Sequence, residues 1–126
     1  MKMRMKSAVL ALVFSLGGAS LAFAHEAAKG PNGGLRVDAG KYHAELVTDG
    51  SPKVAVFLTD AEGKPVPAAG FKGNAILVID GKPQRVALEP TDGSKLTGTA
   101  PVAVSAGVKG AVQLTAPDGT TAQAKY

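Results

Sequence analysis

The chain has 126 residues, no cysteine, and 14 Lys and Arg against 10 Asp and Glu. Without cysteine there is no disulfide framework and no thiolate metal site, and a chain of this length can build one hydrophobic core but not two. The formal charge of +4 would point to an anionic partner only if the basic residues clustered in the folded part, and they do not.

Three of those basic residues open the chain. Lys2, Arg4 and Lys6 precede an apolar run at residues 8–16, and Ala22-Phe23-Ala24 supplies small residues at the spacing of a signal-peptidase site. A membrane-spanning helix needs about 20 apolar residues, whereas this run is shorter and is followed by Gly17, Gly18 and Ser20. Residues 1–24 are therefore expected to be a cleaved signal peptide that leaves no membrane anchor, and the missing cysteine excludes lipid attachment there. The expected location is the periplasm, with release from the cell as the alternative. Met1, Met3 and Met5 depart with the signal, so no thioether ligand remains. The remaining lysines are spread singly and make no basic patch for nucleic acid.

Residues 25–34 are small, polar and rich in Gly and Pro, the composition of a flexible leader, so the domain is expected to span residues 35–126. From there apolar residues alternate in short runs: Tyr42/Ala44/Leu46, Val54/Val56/Leu58, Ile76/Val78, Val86/Leu88, Val102/Val104 and Val112/Leu114. A period of two places one face of each strand inward, and the expected core is drawn from Leu46, Val54, Val56, Leu58, Ile76, Val78, Val86, Leu88, Val112 and Leu114. Asp-Gly pairs at residues 49–50, 80–81, 92–93 and 118–119 accept the positive φ angles of tight turns and predict antiparallel hairpins. Residues 75–79 are apolar on both faces, which predicts a central strand, and residues 111–116 with 121–125 predict a final hairpin. No segment shows a helical period. The expected fold is all-β, an antiparallel immunoglobulin-like sandwich of seven or eight strands, with a small closed barrel as the alternative.

Two histidines carry the chemistry the sequence offers. Cleavage after Ala24 would make His25 the first residue, with a free α-amine. That amine and the imidazole Nδ1 can close a six-membered chelate ring on a metal, and a second imidazole completes a three-nitrogen plane. Such ligands suit copper(II) first, with zinc and nickel behind it. The second imidazole is His43, in the run Tyr42-His43-Ala44-Glu45-Leu46-Val47. If Tyr42, Ala44 and Leu46 face inward, His43 and Glu45 share the outward face, roughly 7 Å apart along the strand. The expected metal ligands are His25, His43 and Glu45, with Glu26 as a further oxygen donor. The plain alternative is that His43 is an ordinary exposed strand residue. Asp60, Asp80, Asp92 and Asp118 read as turn formers, not as a catalytic set.

The segments Gly30-Pro31-Asn32-Gly33-Gly34, Gly40-Lys41-Tyr42-His43-Ala44-Glu45-Leu46-Val47 and Asp60-Ala61-Glu62-Gly63-Lys64-Pro65-Val66 resemble a small periplasmic β-sandwich module associated with heavy-metal efflux. That module occurs alone and near the N-terminus of the adaptor subunits of metal-exporting pumps. The resemblance implies metal binding and an efflux adaptor as partner. Such modules often carry a histidine beside or within the Gly-Gly segment, where this chain has Lys29 and Asn32.

The function expected from these residues is periplasmic metal binding, copper(II) foremost, in resistance or efflux. The second reading is a metal-free interaction module that docks on an efflux adaptor or another envelope protein. No enzyme is expected, because two histidines without cysteine assemble no nucleophile, base and acid.

Overall fold

The computed structural model describes residues 27–126, and every regular element in it is a β-strand. In chain order these are β1 (Ala28–Lys29), β2 (Leu35–Ala39), β3 (Tyr42–Val47), β4 (Lys53–Thr59), β5 (Lys72–Ile79), β6 (Lys82–Pro90), β7 (Lys95–Thr99), β8 (Lys109–Thr115) and β9 (Thr121–Lys125). All pairings are antiparallel, in the order β1-β2-β3-β4-β7-β6-β5-β8-β9.

The turns follow from local sequence. β2 and β3 meet across Gly40-Lys41, with Gly40 at φ 59°, and β5 and β6 meet across Asp80-Gly81, with φ 51° and 75°. A two-residue hairpin matches the strand twist with positive φ at both central residues, as at Asp80-Gly81, or at the first alone, as at Gly40. The other aspartates also build turns. Asp60 Oδ1 accepts from the amides of Glu62 and Lys64, and Asp118 Oδ1 accepts from the Thr120 hydroxyl and amide. Those bonds, the hydroxyl's foremost, hold Asp118 below the usual carboxylate range.

β6 shapes the sheet. It pairs with β5 along Lys82 to Leu88, and its last residues, Glu89 and Pro90, then pair with Thr97 and Leu96 of β7. One strand therefore serves both halves, and the sheet curls into a half-barrel in which β2 and β9 approach each other. Inside the curl lie Val54, Val56 and Leu58 of β4 with Leu77, Val86, Leu88, Leu96, Val112 and Leu114, all buried.

Three expectations change. β5 is central, between β6 and β8, but Ala75 and Leu77 turn inward while Val78 stands 48% exposed and Ile76 is half-buried. A strand apolar on both faces carries no phase of its own, so the register with its neighbours sets it. Val102 and Val104 lie in the connection between β7 and β8, not in a strand. Val104 is still buried, because its backbone bonds Ser51 and Gly50 in the β3–β4 loop. Finally, the described residues hold nine strands where the sequence predicts seven or eight, because strands begin at Ala28, ahead of Leu35: residues 28–36 form a hairpin in which Ala28 opposes Arg36 and Lys29 opposes Leu35.

Truncating Val56 to Ala is expected to lower stability by about 1–3 kcal/mol, whereas Val78→Ala should stay within about 0.5 kcal/mol. Urea unfolding midpoints of the two variants check the inward and outward assignment.

Candidate functional site

The outward faces of β2, β3 and β4 align two polar rows. Register sets Asp38 opposite His43 and His43 opposite Thr59; one row along, Arg36 opposes Glu45 and Glu45 opposes Phe57.

In the first row His43 Nε2 lies 3.0 Å from Asp38 Oδ1, with the two side chains 25% and 34% exposed. A carboxylate partner assigns a proton to Nε2, and in the neutral ring Nδ1 then holds the lone pair. His43 Nδ1 is buried and has no hydrogen-bond partner, and Thr59 Oγ1 on the adjacent strand is in the same condition. Buried polar atoms are nearly always paired, so two unsatisfied atoms on directly opposed residues mark a place where something else completes the bonding. An imidazole whose second nitrogen is fixed by a carboxylate is also the usual form of a metal-binding histidine, since the carboxylate sets the tautomer and raises the ring's basicity.

The second row is sealed. Glu45 is 2% exposed, the one buried polar or charged residue in the described core. Its Oε2 accepts from the amides of Asn32 and Gly34, both at 2.9 Å, and its Oε1 accepts from Asn32 Nδ2 at 2.9 Å. Residues 30–34 close over it as the loop of the β1–β2 hairpin, with Gly30 N donating to Gly34 O and Gly33 at φ 83°. The closeness dictates the glycines: a Cβ at Gly30 would run into the Glu45 carboxyl, and one at Gly34 into the Leu46 carbonyl. Behind β3, the Tyr126 hydroxyl donates to Ala44 O at 2.8 Å. Burial, and then the negative charge of Glu45, push the Tyr126 phenol above its ordinary range.

His43 and Glu45 thus alternate to the same side of β3, as the sequence implies, but the loop takes up the Glu45 carboxylate while His43 Nδ1 has no hydrogen-bond partner. His25 and Glu26 lie outside the described residues. Among the described residues no three His, Cys, Asp or Glu side chains gather as a metal group. Sequence reasoning missed Asp38, Asn32 and Thr59. Asp38 had a signal, because Asp38 and His43 flank the Gly40-Lys41 turn symmetrically and must face each other in a two-residue hairpin. No protein-family model, curated protein or solved structure matches the chain.

Replacing Glu45 by Ala strands two backbone donors and is expected to lower stability by about 2–5 kcal/mol, whereas Glu45→Gln keeps an acceptor and loses about 1–2 kcal/mol. Amide exchange at Asn32 and Gly34 should accelerate in both, and more in the Ala variant. Tyr126 gives a pH test. Its folded-state pKa lies above the ordinary value of 10.0, so its contribution is complete below that pH and declines as pH rises above it. Unfolding free energy should fall more steeply above about pH 10 in the wild type than in Tyr126→Phe.

Proposed function

We propose that the exported protein binds one copper(II) ion through His43 and the α-amine and imidazole of His25, serving metal resistance or efflux in the periplasm. The single observation that supports this is the state of His43: Nε2 is engaged by Asp38 and Nδ1 is left without a partner. Reach supports it as well. Ala28 opposes Arg36, two residues from Asp38, which itself opposes His43. By strand spacing and rise that separation is on the order of 12 Å. Three extended residues span about 10 Å, and the His25 imidazole covers the remainder. On this reading Asp38 orients the ligand and Glu45 holds the neighbouring loop in place. Nδ1 is shielded, so the ion enters as the covering groups move aside. We read the curled sheet as an immunoglobulin-like sandwich whose halves share β6.

The outward position of Val78, an apolar side chain with no structural use in the core, favours the second reading, a metal-free module that docks on an efflux adaptor. Metal stoichiometry separates the two.

The test is titration with Cu(II), Zn(II) and Ni(II) of protein whose intact mass places its first residue at His25. One equivalent of Cu(II) should bind, more tightly than Zn(II) or Ni(II), and affinity should fall as pH drops through the imidazole and amine range. His43→Ala, or one residue added ahead of His25, should each abolish tight binding. Asp38→Asn should weaken it roughly 10–100-fold, and Glu45→Gln should change it far less. If His43→Ala and the added residue both leave Cu(II) affinity unchanged, or if the mature chain starts after His25, copper binding at this place is wrong.

A further inference from the structure

The curled sheet leaves a cleft at one end, on the side of β3 opposite the His43 row. Its volume is about 340 Å³, and its walls are Leu35, Leu46, Val108 and the Tyr126 ring. The rim is open because Gly33, Gly34 and Gly107 contribute no side chains to it. A cavity of several hundred Å³ with apolar walls and few polar groups is the common form of a small-molecule site.

The walls are braced. Glu45 fixes the 30–34 loop through Asn32 and Gly34. The Tyr126 hydroxyl is fastened to Ala44 O, and its backbone pairs with Gly110. Thr48 Oγ1 donates to Ser105 O at 2.8 Å and ties down the β7–β8 connection that carries Val108. Both hydroxyls lining the cleft are therefore engaged within the fold. Lys29 is the charged group on the lining, and it makes no ion pair with a described residue. Apolar walls beneath one unpaired ammonium complement a molecule with an apolar body and a single negative head.

We propose that this cleft binds a small apolar carboxylate, with its hydrocarbon part against Leu35, Leu46 and Val108 and its carboxylate at the Lys29 ammonium. The ligand class is a free short-chain or aryl acid, with one apolar body to lie on these walls and one charged head. The assignment is independent of the copper site: it uses neither histidine, and either can fail alone.

Octanoate, hexanoate and octan-1-ol, titrated into the isotope-labelled exported protein by NMR, test it. Octanoate should give saturable shifts at Leu46, Gly107 and Val108, with none at Val78 on the outer face. Affinity should rise about fourfold per methylene from hexanoate to octanoate. Lys29→Gln should weaken octanoate about tenfold and leave octan-1-ol unchanged. Ala106→Phe, at an exposed position on the rim, should block both without changing the unfolding midpoint. The proposal is overturned by shifts absent from the cleft or spread over the surface. It is equally overturned if Lys29→Gln leaves octanoate affinity intact, or if octan-1-ol binds as well as octanoate.

Discussion

One buried carboxylate organises one end of this molecule. Glu45 sits in the middle of a strand, out of water, and a carboxylate so placed is tolerated only when donors replace its hydration. Here the donors come from a loop of five residues, which must come within hydrogen-bond distance of β3. Gly30 and Gly34 are the residues that permit the approach, and Asn32 supplies a backbone and a side-chain donor together. The short strand β1 has two residues of ladder to hold it, too few for independent stability. Its position therefore depends on the bonds that its loop makes to Glu45.

That dependence links features on both sides of β3. Lys29 closes β1 and lines the cleft, Gly33 and Gly34 form the cleft's rim, and Ala28 opposes Arg36, two residues from the Asp38 that meets His43. A change at Glu45 would therefore be felt in the placement of β1 and at the rim of the cleft.

Much of the fold was legible in the sequence, because hairpins are local. The Asp-Gly turns, the clean alternation of β4 and β8 and the central place of β5 could all be read from composition and period. The phase of β5 could not, since Ala75, Ile76, Leu77 and Val78 satisfy either face and only the register with β6 and β8 decides. Val104 mimics a strand residue because a loop pinned to Ser51 buries it as deeply as a sheet would. The site was half legible. The common side of His43 and Glu45 follows from a period of two, and Asp38 follows from the turn. What takes up Glu45 does not, because the bonds come from a segment whose glycines and asparagine read equally well as an unstructured leader.

The curl has a further consequence, for how this protein behaves in a crowd of its own copies. An open nine-stranded sheet offers two unpaired borders, each a template onto which a foreign strand can add. Here the sheet is bent by β6 until β2 and β9 come close to each other, so each border lies beside another part of the same sheet. β1 covers the first residues of β2, Asp38 and Arg36 charge that border, and Lys125 ends the other. Closure by curvature and charge, without a ladder joining the two borders, leaves little room for a foreign strand to add, while the cleft at that end stays open.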